Sequence, residues 1–384
     1  MSAGPRGSIA ARALVVALLV GVAVSWLVGL QAREARRWRH AEPSYRLVLP
    51  RDHASHPDYK IEWWYYTGNL ATREGRHFGY QLTFFRVGVD PAPSNPSRWA
   101  VRDLFMAHFA ITDIASGRHH AADLVNRAGV GWAGAATDSL RVWNEDWLAT
   151  QEADGRHRLQ AAATSGDTSF AADLVLEEGG RFVAHGEQGF SRKGSQPGNA
   201  SHYYSLTRMP TRGTLAVGGD RFSVDGYSWM DHEFGTSFLE PGQVGWDWFA
   251  IQLEDGADLM LFQMRRADGR ADPHSSGTLA DGTGRTWRLG AGDVALQPGR
   301  SWTSPASGAS YPVTWTLSVP RQGLALEVRA AVDAQELRTD RSTGVTYWEG
   351  AVEVRGTRNG RPARGRGYLE MTGYTGRPMS EKFR

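Results

Sequence analysis

The run Ile61-Glu62-Trp63-Trp64-Tyr65-Tyr66-Thr67-Gly68-Asn69-Leu70 constrains the fold more than any other part of this chain. Four aromatics follow one carboxylate without a break. Far downstream the pattern returns as Gly245-Trp246-Asp247-Trp248-Phe249-Ala250-Ile251-Gln252-Leu253. Aromatic side chains suit the pleated, half-buried surface of a strand. An acid among them suits a wall facing an apolar ligand, and the repetition predicts two barrels.

Between and beyond these runs, short alternating segments are punctuated by Gly, Asp-Gly and Pro, the signature of an all-β chain. The first hairpin runs from 61–70 through Arg73-Glu74-Gly75-Arg76 into 77–87. There Phe78, Tyr80, Leu82 and Phe84 share one face and Gly79, Gln81 and Thr83 the other. Further strands are expected at 101–113, 140–148, 158–163, 169–176, 202–208, 213–217 and 221–229, with 121–127 a short helix or lid. The second half restarts with strands at 246–253 and 258–266, joined by Glu254-Asp255-Gly256. Later strands fit 286–289, 313–319, 324–328, 345–354 and 364–372. Two tandem antiparallel meander barrels, 58–237 and 238–378, fit this pattern. One large β-sandwich is the rival architecture.

The N-terminus is different. Residues 13–30 are apolar but for Ser25 and match the length of about 17–25 residues that spans a bilayer. Residues 1–32 are therefore a hydrophobic helix, read as a signal anchor or signal peptide, and 33–57 a linker. Leu30 makes a poor residue for a cleavage site, which favours an uncleaved anchor. Arg33, Arg36, Arg37 and Arg39 follow the segment, and by charge count alone they would keep the body in the cytoplasm.

Composition removes several function classes. The 384 residues carry 43 Lys+Arg against 41 Asp+Glu, so no nucleic-acid footprint stands out. Cysteine is absent, which excludes disulfides, thiol catalysis and Cys-ligated metals. His119 and His120 are adjacent and point to opposite faces of a strand, His53 and His56 fall in the linker, and no His-x-x-x-His spacing occurs. No metal or other cofactor is expected. No Gly-x-Ser-x-Gly elbow or phosphate loop appears.

At this point a family resemblance can be stated. The opening run, Gly79-Tyr80-Gln81-Leu82-Thr83-Phe84-Phe85-Arg86, Ala107-His108-Phe109-Ala110 and Ser228-Trp229-Met230-Asp231-His232-Glu233-Phe234-Gly235 resemble the AttH-like lipocalin family. So do Trp246-Asp247-Trp248, Tyr347-Trp348-Glu349-Gly350 and 367–374. The family includes the carotenoid 1,2-hydratases (hydroxyneurosporene synthases). The resemblance implies tandem lipocalin-like barrels, export to the periplasm on an inner-membrane tether, and an ABC-type permease as partner. It also implies a long apolar ligand, either a lipid or an isoprenoid, in an aromatic-lined cavity. The hydratases add water to a terminal isoprenoid double bond, and related fungal proteins are pericyclases.

Hydration of a trisubstituted double bond needs a proton delivered to carbon and a cation that survives until water attacks. A carboxylic acid kept protonated by an apolar pocket supplies the first. Aromatic faces supply the second. Asp231, His232 and Glu233 are the candidate catalytic residues, with Asp231 and His232 at their centre. Trp63, Trp64, Tyr66, Tyr80, Tyr204, Trp229, Trp246 and Trp248 are the candidate ligand-binding aromatics. The hydratase pattern places Asn-Trp-Gly after the Asp-His pair. Here Glu233 and Phe234 replace the Asn and the Trp, and the Trp would be a natural cation stabiliser. Each acid also has a structural reading. Asp231-His232-Glu233 fits a structural knot at the barrel junction, and Glu62 fits a partner for Arg86. Asp247 faces outward if Trp246 and Trp248 line the pocket. His108 fits a hydrogen-bonded core histidine. Three functions stay open. A membrane-tethered carrier of an apolar ligand comes first, then a cofactor-independent hydratase, then a pericyclase-like scaffold.

Overall fold

The computed structural model describes residues 38–376, apart from 92, 94, 98, 180, 237 and 238. The apolar run at 13–30 lies outside them. Among the described residues no helix is long and apolar enough to cross a membrane. Helical structure there is confined to 3-10 turns at Arg51–His53, Gly129–Gly131, Ala291–Asp293 and Pro320–Gln322. The protein is all-β.

Two large antiparallel sheets make up the body. In the 13-stranded sheet, Ile61–Ala71 sits between His77–Gly88 and Asp220–Gly235; Ala200–Val217 follows on the far side of Asp220–Gly235. The edge strand Arg118–Arg127 curls back against His157–Ser165 and Ala133–Ala135, so this sheet is barrel-like and nearly closed. The 10-stranded sheet begins at Gln243–Leu253, which lies between Asp258–Arg266 and Arg361–Met371; Thr346–Arg358 comes next.

The unbroken aromatic run now has a physical reason. A strand with one wet face alternates apolar and polar residues, whereas one buried on both faces does not. Trp64, Tyr66 and Leu70 point into the first core with Phe78, Tyr80, Leu82 and Phe84. Trp63 and Tyr65 point the other way, into a cluster shared with Trp229, Trp248 and Phe262. The downstream echo does the same: Phe249, Ile251 and Leu253 fill the second core, while Trp246 and Trp248 join the shared cluster. The hairpin between the first two strands closes at Gly75, which adopts φ 86° and donates its N–H to the Thr72 carbonyl at 3.0 Å.

Two expectations are corrected. Residues 121–127 are neither helix nor lid but part of the strand Arg118–Arg127, paired with Asp103–Asp113. The period of two explains it: Ala122 and Leu124 pack on the first core, and Ala121 packs on the opposite side. The described part of 33–57 is no free linker either. Asp52 and His53 are fully buried, and the His53 carbonyl accepts a hydrogen bond from Trp64 Nε1 at 3.0 Å.

The two sheets approach closely at Gly79, where a Cβ would stand 2.7 Å from the Ala351 Cβ. Gly79→Val is therefore expected to destabilise the protein by about 1–3 kcal/mol, the usual cost of overpacking a close contact. The urea midpoint measures it. An unchanged midpoint would mean that the sheets are not held at this spacing.

Candidate active site

A cavity of about 160 Å³ lies between the two sheets, outside both cores. Each wall is built from a row of residues set side by side by strand register. On the first sheet Ser205 lies opposite Asp231, Asp231 opposite Tyr65, Tyr65 opposite Thr83, and Thr83 opposite His108. On the second, Glu349 lies opposite Glu370, Glu370 opposite Trp248, and Trp248 opposite Phe262. Side chains directly opposite in neighbouring strands have Cβ atoms about 4.5–5.5 Å apart, so each row is a continuous strip of functional groups.

Three of the hydrogen bonds that join the two sheets lie along these rows. The Tyr65 hydroxyl donates to Glu349 Oε1. Trp248 Nε1 donates to the Tyr203 hydroxyl oxygen at 3.0 Å. His108 Nδ1 and the Tyr347 hydroxyl lie 2.8 Å apart.

Asp231 is held by three donors. Ser205 Oγ and Trp229 Nε1 bond Oδ1, the latter at 2.6 Å, and the Tyr203 hydroxyl bonds Oδ2. A carboxylate has four lone-pair sites, so one on Oδ2 is left for a ligand or water. Behind Ser205, His185 Nε2 lies 2.6 Å from its Oγ and His185 Nδ1 2.9 Å from Thr278 Oγ1. With the Ser205 proton committed to Asp231, His185 donates from Nε2 and accepts from Thr278. Burial pushes Asp231 up to about 7 in spite of its donors, and Glu233 adds to the rise.

Glu349 is the opposite case. Its Oε1 has the Tyr65 donor, but its buried Oε2 has no partner among the described residues. Burial holds Glu349 well above the usual carboxylate range, and Glu370 across the ladder reinforces it. Burial likewise lifts Glu370 to about 8. Two carboxylates placed directly opposite repel, so a proton resides on this pair. Glu233 is paired instead, with Lys193 Nζ 3.0 Å from Oε1.

Of the aromatics expected to bind ligand, Trp63, Trp246 and Trp248 line the cavity, and Trp229 stands behind Asp231 as a donor. Trp64, Tyr66, Tyr80 and Tyr204 do not. Strand alternation turns them into the first core. The contiguous trio is split in the same way. Asp231 and Glu233 face the cavity, but His232 points into the first barrel, 2.8 Å from the Asp52 carbonyl and 3.1 Å from Glu62 Oε1. His232 and Asp231 therefore cannot act on one substrate. Phe234 shares that inner face, stacked on His56 at 3.6 Å. The departure from Trp at this position thus removes no aromatic from the cavity.

Glu62 is buried against Arg86, with Nε 3.1 Å from Oε2. Asp247 does lie opposite its flanking tryptophans, but it does not face out. It is fully buried, with Arg265 Nε 3.1 Å from Oδ2 and the Tyr374 hydroxyl donating at 2.9 Å, because both faces of its strand are covered. Glu349, Glu370, Tyr65 and Lys193 were missed. Parity was the available signal for Tyr65, which sits an even number of residues from Trp63. Nothing local in the sequence marks the two glutamates, which face each other across a strand ladder and meet Tyr65 only where the sheets dock. Three His/carboxylate groups among the described residues have metal-compatible spacing, and none lines this cavity.

Comparison with known proteins places this geometry in context. The profile of the family described as AttH-like matches residues 40–374. A crystal structure described as an AttH from Nitrosomonas europaea superposes with TM-score 0.79 at 36% identity, covering 88% of this chain and 99% of that one. Kievitone hydratase from Nectria haematococca superposes with TM-score 0.65 at 17% identity, over 88% and 98% of the two chains, and shares the fold. Dehydratase asqC of Emericella nidulans is 22% identical over 177 residues, 44% of this chain and 50% of that protein. The chain thus spans about half the length of the curated relative it matches.

Proposed function

The chain belongs to the AttH-like family, and on that premise we propose that it is a cofactor-independent hydro-lyase. It adds water to a carbon–carbon double bond at the end of an apolar, isoprenoid-like molecule seated between the two sheets. The observation that carries this reading is a pair of buried acids, one on each wall, held in different ways. Glu349 has one unpartnered oxygen and burial favours its protonated form, whereas Asp231 is held by three donors with one lone pair to spare.

Glu349 delivers its proton to one alkene carbon, and the other carbon becomes cationic. The faces of Trp63, Tyr65 and Trp248 stabilise that cation. Water attacks it as Asp231 removes the water's proton, forming the alcohol. Water is consumed, the proton gained by Asp231 balances the one lost by Glu349, and the reverse reaction is a dehydration. A 22% identical relative is named a dehydratase, which supports the reaction class. A pure carrier of lipid fits less well, since burying an unpartnered carboxyl oxygen against an apolar ligand costs about 1–3 kcal/mol with no return in function.

The pH profile tests the assignment. Asp231 acts in hydration only when ionised, so turnover of an acyclic carotenoid or other isoprenoid alkene is expected to rise with pH through about 7. The Tyr203 hydroxyl bond lowers the Asp231 pKa. Tyr203→Phe removes it and should move the rising limb to higher pH. A limb that stays in place, or moves toward acid, would exclude Asp231 as the base. Mass spectrometry of product mixtures, seeking the added mass of water, reads the activity; bound substrate without product would return the carrier.

A further inference from the structure

A second constellation, none of whose members lines the cavity, gathers at the ends of strands in the first sheet. His53 comes from the 3-10 turn Arg51–His53, His157 opens the strand His157–Ser165, and Glu178 follows the strand Thr168–Leu176. Their ligand atoms all lie within 4.8 Å of one another. His53 Nε2 is 3.1 Å from Glu178 Oε1, and His157 Nε2 is 3.7 Å from Glu178 Oε2.

Hydrogen bonds from behind orient both rings. The Tyr204 hydroxyl donates to the Asp52 carbonyl at 3.1 Å and lies 2.6 Å from His53 Nδ1. That holds the far side of the His53 ring and turns Nε2 toward the Glu178 carboxylate. His157 repeats the arrangement: Nδ1 lies 3.1 Å from the Tyr66 hydroxyl, and the fully buried Nε2 has no hydrogen-bond partner among the described residues. Gln151 Nε2 donates to Glu178 Oε2 at 2.6 Å and sets the carboxylate plane. Two imidazole nitrogens anchored from behind and one oriented carboxylate are the inner and outer shells of a divalent metal site.

We propose that His53, His157 and Glu178 bind a zinc-type divalent cation that pins the segment ahead of the first strand to the barrel wall. Tetrahedral zinc bonded at about 2.0–2.1 Å places its ligand atoms about 3.3 Å apart, between the two separations above. Glu178 is partly exposed, which leaves a side for entry and for a water as fourth ligand. The other two His/carboxylate groups already have a guanidinium as counter-ion. Glu62 in one is held by Arg86, Ser55 and a backbone N–H; Asp272 in the other is paired with Arg266 and bonded by His274. Local spacing could not reveal the site, because its residues come from three separate elements.

The test uses tag-free protein stripped with EDTA, desalted and titrated with zinc chloride. One zinc per chain should survive a second desalting and raise the melting temperature. X-ray absorption should report two imidazole ligands. Glu178→Gln, at a partly exposed position, should weaken zinc binding by at least about tenfold while the metal-free melting temperature stays put. His274→Ala should bind zinc as the wild type does. Failure of wild-type protein to retain zinc at micromolar free metal, or undiminished binding by Glu178→Gln, would overturn the site and leave His53 and Glu178 as a simple hydrogen-bonded pair.

Discussion

Glu349→Gln is expected to lower turnover by about two to four powers of ten, the usual worth of a positioned general acid, while leaving ligand binding in place. Gln keeps the shape of Glu and still accepts from the Tyr65 hydroxyl that holds Oε1, so the contact between the sheets persists. What it lacks is the acidic proton on the second oxygen, the one with no protein partner. The Glu370 repulsion also disappears, since only one ionisable group remains at that rung. Stability should therefore hold or rise while chemistry fails. Binding can be followed through quenching of Trp63 and Trp248, which share the cavity, and turnover through the hydroxylated product. A variant within about threefold of wild-type turnover would remove Glu349 from the mechanism.

Arg86→Met is expected to cost about 3–5 kcal/mol, the range for breaking a buried ion pair from one side. Arg86 is essentially inaccessible. Its Nη1 lies 2.9 Å from Asp103 Oδ1 and its Nη2 donates to the His56 and Tyr59 carbonyls at 2.9 and 2.7 Å. Removing it leaves the buried Glu62 charge short of its cation. The group's carboxyl sits well below its ordinary range, with His232, His56 and Arg86 opposing the effect of burial. Adding Glu62→Gln in the Arg86→Met background should recover part of the loss, because the stranded charge is gone. Urea denaturation of the single and double variants reads both effects. A single-variant loss below about 1 kcal/mol would show that water or His56 replaces the guanidinium without cost.

Much of the fold was legible because strand pairing leaves local marks. The opening hairpin follows from alternation in Phe78, Tyr80, Leu82 and Phe84 and from the turn glycine at 75. The Glu62–Arg86 contact follows from two residues that sit opposite each other in that hairpin. Residues 121–127 were misread because their alanines weaken the apolar alternation that marks a strand. The candidate site was legible only in part, for a geometric reason. Asp231, His232 and Glu233 are neighbours in sequence, yet a strand sends alternate side chains to opposite faces. The middle member was assigned to the wrong compartment, as were Trp64, Tyr66, Tyr80 and Tyr204. The eight aromatics expected to form one lining divide between two separate interiors. Glu349 and Glu370 meet Asp231 only through the docking of two sheets, a long-range event with no local periodicity to announce it. The zinc-type cluster was invisible for the same reason.

The seam between the sheets has a consequence for how such a protein can change. Each sheet carries a complete core of its own, but each owns only half of the reactive groups. A copy of either half alone would carry a core without an active centre. Chemistry would then track the angle and spacing at which two independently packed halves meet. A substitution far from any ligand, at a contact such as Gly79 against Ala351, can therefore retune which molecules react without touching a single catalytic atom.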